Sequence, residues 1–392
     1  MTRLKAFVMN AVEKASDEAQ PYVALEHIAS RTGRLLPGVE LLEQSEPTAI
    51  AHQPGDVRFG KLRPYLAKSL LMDTAGIGSG ELLVLRSRNG ALDPRYLWYL
   101  TLSKPFLEWA DVTSYGVKMP RTNWSILGAW DANVPSLAEQ HRLVDLLDRQ
   151  TGRIDDLVDE QLQLTILLQQ HRASAIDRAI WGDRAENVPT VPLWRVADEA
   201  RPIMYGIVLP GPNVPDGVLL VKGGDVRPER LATELLNRTT AEIEEPYSRA
   251  RLLPGDILYA IRGSIGDAAV VPDSLAGANI TQDVARIAPA TGIDSQWLLY
   301  ALQSPRFFSQ MEREARGATI RGVNIWTLNK GRVPDVPLKV QHSLASRLGA
   351  LDTRIGGLVD EIQRQIGLLG EHRQALITAA ITGQLGIPGS AA

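Results

Sequence analysis

One stretch of this 392-residue chain occurs twice. The first copy runs from Val134-Pro135 through Gln140-His141, Arg153-Ile154, Leu157-Val158-Asp159-Glu160 and His171-Arg172 to Gly182. The second runs from Val336-Pro337 through Gln341-His342, Arg354-Ile355, Leu358-Val359-Asp360-Glu361 and His372-Arg373 to Gly383. From the Gln-His pair onward, each match is displaced by 201 positions. A constant offset over about forty residues is an internal duplication, so the fold must be built from two related halves.

Within each copy the stripe positions step by four and three. In the first they are Leu143, Leu147, Gln150, Ile154, Leu157, Gln161, Leu164, Leu168, His171, Ala175 and Arg178. In the second they are Leu344, Leu348, Leu351, Ile355, Leu358, Ile362, Gln365, Leu369, His372, Leu376 and Ala379. This rhythm predicts two long helices in coiled-coil contact, each about 60 Å long at 1.5 Å per residue. A helix of that length outruns the interior of an ordinary domain and acts as a spacer. Gln150, Gln161, Gln365, His171 and His372 read as polar seam residues that fix register.

Composition narrows the rest. With 44% hydrophobic residues the chain can build two or three compact domains. A net charge of -3 means that any nucleic-acid contact is local. The absence of cysteine excludes disulfides, thiolate metal sites and cysteine nucleophiles, and fits a cytoplasmic location. Asn10, Glu13 and Lys14 break the early apolar run too soon for a signal peptide. No window is apolar enough to span a bilayer, so a soluble protein is expected.

Outside the helices, Tyr22-Val23-Ala24-Leu25 reads as a strand, Pro54-Gly55-Asp56-Val57 as a tight turn and Leu82-Leu83-Val84-Leu85 as a buried strand. Asp93-Pro94 starts a helix, and a polar loop follows from Thr113 to Trp124. The second half repeats this plan with Pro254-Gly255-Asp256-Ile257, Asp294 and a loop from Gly317 to Asn324. Val191-Pro192-Leu193 echoes the opening strand. Pairing Val23 with Val191 gives an offset of 168, and so about thirty extra residues before the second turn. Gly76, Gly78 and Gly80 match neither dinucleotide nor P-loop spacing and read as a flexible surface loop.

No Ser-His-Asp pattern, H-E-x-x-H or Asn-Pro-Pro-aromatic tetrapeptide is present, so no catalytic residue is assigned. No metal site is expected: His141 and His171, or His342 and His372, lie too far apart along one helix to share an ion. The candidate chemistry is DNA binding. In the first loop the candidates are Ser114, Tyr115, Lys118, Arg121 and Asn123. Around the second they are Arg316, Thr319, Arg321, Asn324 and Lys330, with Arg306, Arg313 and Arg332 nearby. Lys61, Arg63, Lys222, Arg227, Arg262 and Ser264 join them. Arg and Asn read base edges, while Lys, Ser and Thr serve phosphates; the bland alternative is an ordinary charged surface.

The ordered pattern resembles the specificity subunit of type I restriction-modification systems. The Pro-Gly-Asp turns stand near basic residues (Lys61-Leu62-Arg63-Pro64; Ile261-Arg262-Gly263-Ser264-Ile265-Gly266). Each unit then has a glycine-bearing polar loop and closes with Val-Pro and a Gln-containing helix start. The resemblance covers nearly the whole chain. The second copy departs from it only in having Val340-Gln341 where the first has Glu139-Gln140.

The resemblance implies an α+β chain: two mixed α/β target-recognition domains separated by two long antiparallel coiled-coil helices, with an internal pseudo-two-fold repeat. The implied bounds are 1–135 for the first recognition domain, 136–182 for the first helix, 183–337 for the second domain, 338–383 for the second helix and 384–392 for a tail. It further implies a non-catalytic subunit reading a bipartite, asymmetric site in double-stranded DNA. Two methyltransferase subunits would bring S-adenosylmethionine and methylate adenine N6, with restriction subunits as further partners; this chain would carry no cofactor of its own. Apolar residues off the seam form a candidate docking stripe for those partners: Leu146, Val158, Leu162, Ile166 and Leu167 on the first helix, Val359, Ile366, Leu368 and Ile377 on the second. The alternative is a two-module DNA-binding or scaffolding protein without a methyltransferase partner.

Overall fold

The computed structural model describes residues 2–15, 19–46, 48–182, 188–314 and 322–385. Two compact units form: Met1–Leu162 with Gln363–Ala392, and Gln163–Ile362. The first long helix, α1 (Leu137–Trp181), begins in the first unit and ends in the second; α2 (Leu338–Ile381) runs the other way. Among the described residues, no helix is long and apolar enough to cross a membrane.

The units repeat one topology. In the first, Val8–Asn10, Leu82–Ser87, Val57–Gly60 and Ser69–Leu71 form a four-stranded antiparallel sheet in that spatial order. In the second, Met204–Tyr205, Val284–Ile287, Ile257–Ala260 and Ala268–Val270 do the same. Each unit also pairs two strands in parallel, Tyr22 opposite Ile77 in one and Leu220 opposite Asn279 in the other. The first strand of each unit pairs with the last strand before its long helix, Thr2 with Ala132 and Thr190 with Pro334.

These pairings correct the alignment of the halves. Thr190–Pro192 is the counterpart of Thr2–Arg3, and Val218–Val221 that of Gln20–Val23. Leu4 therefore matches Leu193, an offset of 189, and Pro54 matches Pro254, an offset of 200. The second unit carries eleven extra residues over this stretch instead of thirty, because a short apolar motif resembles several strands until its partner is known. The glycines also read differently. Gly76–Gly78 is a buried strand, where a Cβ would stand 2.6 Å from Pro21 O or Val23 O, so glycine serves close strand approach here.

The helix ends explain the duplicated residues. Gln140 is fully buried: its Oε1 accepts from Asp93 N at 2.8 Å, and its Nε2 donates to Ala91 O at 3.1 Å and Pro135 O at 2.9 Å. Gln341 repeats this with Asp294 N at 2.9 Å and Val336 O at 2.8 Å, so Val340 in place of Glu139 leaves the contact intact. Gly182 (φ +70°) and Gly383 (φ +73°) follow the last turns in the left-handed conformation that ends helices.

Each unit packs its sheet and helices against one end of α1 and one end of α2. In the first, Phe59, Leu85, Leu97 and Phe106 share a core with Leu143 and Leu147 of α1 and Ile377 of α2. In the second, Ile257, Tyr259, Trp297 and Phe307 share one with Ile176 and Ile180 of α1 and Leu348 of α2.

The seam keeps Leu147, Ile154, Leu348, Ile355 and Ile362, all buried, but alternate positions move by one residue. Leu157 (45% exposed), Leu164 and Leu358 face outward, as do His171 and His372, while Val158, Val359 and Arg172 are half-buried and Arg373 is buried. The histidines are therefore not seam residues. The arginines beside them cross between the helices: Arg373 Nε lies 3.1 Å from Asp155, and Arg172 grips Asp352 with two bonds of 2.8 Å. Adjacent apolar pairs such as Leu157-Val158 satisfy either register, and packing decides between them.

Of the candidate docking stripe, Leu162 (42%), Ile166 (47%), Leu167 and Leu368 (53%) are exposed. Leu146, Val158, Val359 and Ile366 are half-buried, and Ile377 is buried in the first core, which removes it from any partner surface.

Candidate nucleic-acid interface

The Pro-Gly-Asp turns are scaffold. Asp56 is buried; it accepts from Gln53 N at 2.8 Å and takes two bonds of 2.7 Å from Arg86. Asp256 accepts from Leu253 N at 2.8 Å and is clamped by Arg201 at 2.7 and 2.6 Å. Gly55 (φ +88°) and Gly255 (φ +85°) supply the turn's left-handed residue. The second arginine comes from a different part of the chain than the first. Arg286, which lies opposite Leu258 as Val84 lies opposite Arg58, is buried and donates to Arg201 O, Pro202 O and Arg249 O instead.

The hairpin beyond each turn ends at a basic segment, and there the polar loops join it. In the first unit Leu62 bridges to Arg121 and Tyr115 to Arg121; Arg63 N donates to Pro120 O at 2.7 Å and Thr122 N to Lys61 O at 2.9 Å. In the second, Arg262 bridges to Gly322, Val323 N donates to Ile261 O at 2.8 Å, and Ser264 Oγ donates to Gly223 O at 3.2 Å. The structure thus gathers Lys61, Arg63, Ser114, Tyr115, Lys118, Arg121 and Asn123 at one end of the first unit. It gathers Lys222, Arg262, Ser264 and Asn324 in the second. Arg316, Thr319 and Arg321 lie outside the described residues.

Several of these side chains are already engaged. Lys61 is half-buried, donates to Gly80 O, and has its pKa lowered by burial. Arg121 is paired with Glu81. Arg227 binds Asp267 at 2.9 Å, and Arg262 stands 3.8 Å from Asp283. Asn123 and Asn324 cap short helices, their Oδ1 atoms accepting from Ile126 N at 3.1 Å and Thr327 N at 2.7 Å; Asn123 Oδ1 also accepts from Ser125 Oγ at 2.5 Å, so Asn123 keeps only its amide NH2 for another partner. Arg306 and Arg332 are engaged within the second unit, Arg306 with Asp177 at 2.9 Å and Arg332 with Thr190 at 2.7 Å. Lys118 and Arg63 remain exposed on the first unit.

The residue reading missed the carboxylates Glu81, Asp267 and Asp283 that orient these cations, since they lie far off in sequence. It also missed Trp326, 65% exposed, with Lys330 Nζ 3.4 Å above its ring; a Trp four residues before a Lys on a helix was the available signal. Among the described residues no cluster of His, Asp or Glu could hold a metal ion. His141 and His342 instead stand 3.4 Å from the helix-capping Asp93 and Asp294.

No family model matches the chain. In sequence it is 24% identical over 274 residues to the type I restriction enzyme EcoBI specificity subunit of Escherichia coli, covering 64% of this chain and 58% of that protein. It is 24% identical over 173 residues to the EcoDI specificity subunit of the same organism, covering 42% of this chain and 38% of that protein. The matches thus span less than two thirds of either relative. In structure it aligns, at TM-score 0.70 and 20% identity, with a chain solved in work on complex assembly and conformational transition of the type I R-M system, over 98% of this chain and 97% of that one. The chain is therefore similar in sequence to type I restriction enzyme specificity subunits, and it shares the fold of a type I R-M system chain.

Proposed function

We propose that this chain is the non-catalytic DNA-specificity subunit of a type I restriction-modification complex. Each unit reads one half of a bipartite, asymmetric target in double-stranded DNA. The chain positions methyltransferase subunits, which bring S-adenosylmethionine, for adenine N6 methylation, and restriction subunits join the same assembly.

The observation that carries this reading is a common frame presenting unlike loops. In both units a buried Asp-Arg clamp sets the turn and a Gln clamp sets the helix, while the joined loop differs in sequence, as two readers of different half-sites require. Exposed Leu162, Ile166 and Leu368 supply apolar surface for partner subunits.

The test is to map methylated adenines in cells expressing the chain with its methyltransferase partner. One bipartite motif with a fixed spacer, lost when the chain is deleted, is expected; exchanging residues 113–124 changes one half of it. Methylation that is indifferent to the chain refutes the reading.

A further inference from the structure

The first unit's recognition loop ends in a short hairpin whose tip is apolar. Tyr115 and Arg121 exchange both backbone hydrogen bonds, at 2.9 and 2.8 Å. The base is braced by Arg63 N on Pro120 O, by Thr122 N on Lys61 O and by the Arg121–Glu81 pair. Gly116 turns at φ +98°, where a Cβ would stand 3.2 Å from Met119 O. From this support Val117 projects fully exposed, flanked by Tyr115 and Met119, each 53% exposed. A single exposed apolar side chain is ordinary; three on one braced tip, with Lys118 between two of them and Arg63 beside the base, form a surface with a purpose.

We propose that this tip reads thymine, Val117 and Met119 making apolar contact with its 5-methyl group in the major groove; the inference rests on the DNA-reading function above. Two facts favour double-stranded DNA as the occupant. The cations Lys118 and Arg63 suit flanking phosphates, which position a reader without specifying sequence. Between them the side chains of Val117 and Met119 offer no strong hydrogen-bond donor or acceptor, so they cannot read base nitrogens or carbonyls. The thymine methyl is the apolar group that base pairs present in the major groove, which admits a two-stranded ribbon.

The test uses the complex assembled with its methyltransferase subunits and duplexes carrying the mapped target. Deoxyuridine replaces thymine in one half-site at a time, which removes only the methyl group. In one half-site this substitution should weaken wild-type binding roughly fourfold, the worth of one buried methyl group. Val117→Ala should bind thymine DNA more weakly and lose nothing further on the uracil duplex. Equal losses for Val117→Ala on both duplexes, or no loss on either, overturn the proposal while leaving DNA reading intact. Absence of any sequence-selective binding by the wild-type complex overturns the function itself. Because Val117 is fully exposed and uracil alters only the DNA, neither arm depends on a damaged fold.

Discussion

Replacing Gln140 by Leu should destabilise the first unit by about 2–4 kcal/mol. The change keeps the side-chain bulk and strands three backbone groups, Asp93 N–H and the carbonyls of Ala91 and Pro135, all satisfied by one buried amide. A buried polar group left unpaired costs about 1–3 kcal/mol, and the partly accessible carbonyls recover some of this from water. Gln140→Glu should cost at least as much, because its carboxylate would be buried against the Ala91 and Pro135 carbonyl oxygens with only Asp93 N–H to offset the charge. The assay is denaturant unfolding of the full chain by tryptophan fluorescence, with amide hydrogen exchange to say which unit opens. Exchange should accelerate around residues 91–97 for the Gln140 variant and around residues 292–298 for Gln341→Leu. Loss of less than about 0.5 kcal/mol in both variants would refute the clamp, since that lies within the range of ordinary surface substitutions.

Three further outcomes follow from the same geometry. His52 is buried beside Arg58, and burial, then the Arg58 charge, hold its pKa down at about 4. A folded value below the unfolded 6.5 stabilises above pH 6.5, and that stability is lost as pH falls from 6.5 through 4. The full effect is about 3 kcal/mol. His52→Asn should flatten a stability titration between pH 7 and 4, and an unchanged slope would count against it. Asp256→Ala leaves Arg201 without its carboxylate and Leu253 N–H unpaired, so thermal unfolding should show a loss of about 3 kcal/mol; a shift within error contradicts the scaffold role. For the assembled complex, Lys118→Gln should weaken DNA binding on all sequences and reduce the slope of log K against log salt by about one, whereas a base-specific loss would reassign Lys118 to base reading.

The sequence by itself determined the architecture: a 201-residue offset ending in Gly182 and Gly383 requires two long helices and two related units. Local chemistry also placed the helix starts at Asp93 and Asp294, because capping acts within a few residues.

Tertiary structure decided what depends on distant partners. Leu157 and Val158 are equally good seam residues until a facing helix buries one of them. Asn123 offers the same amide to a base or to Ile126 N, and the fold spends its oxygen on the helix. Arg86, on a strand after its turn, clamps the first turn's aspartate, while in the second unit Arg201, far before its turn in the chain, takes that role and Arg286 stands where the first unit has Val84. The recognition loops were legible as polar and basic, but their bracing was not: Glu81, forty residues before Arg121, is brought to it by strand pairing. Periodicity records which face is buried within an element. Packing between elements far apart in the chain decides which of two equivalent residues occupies that face.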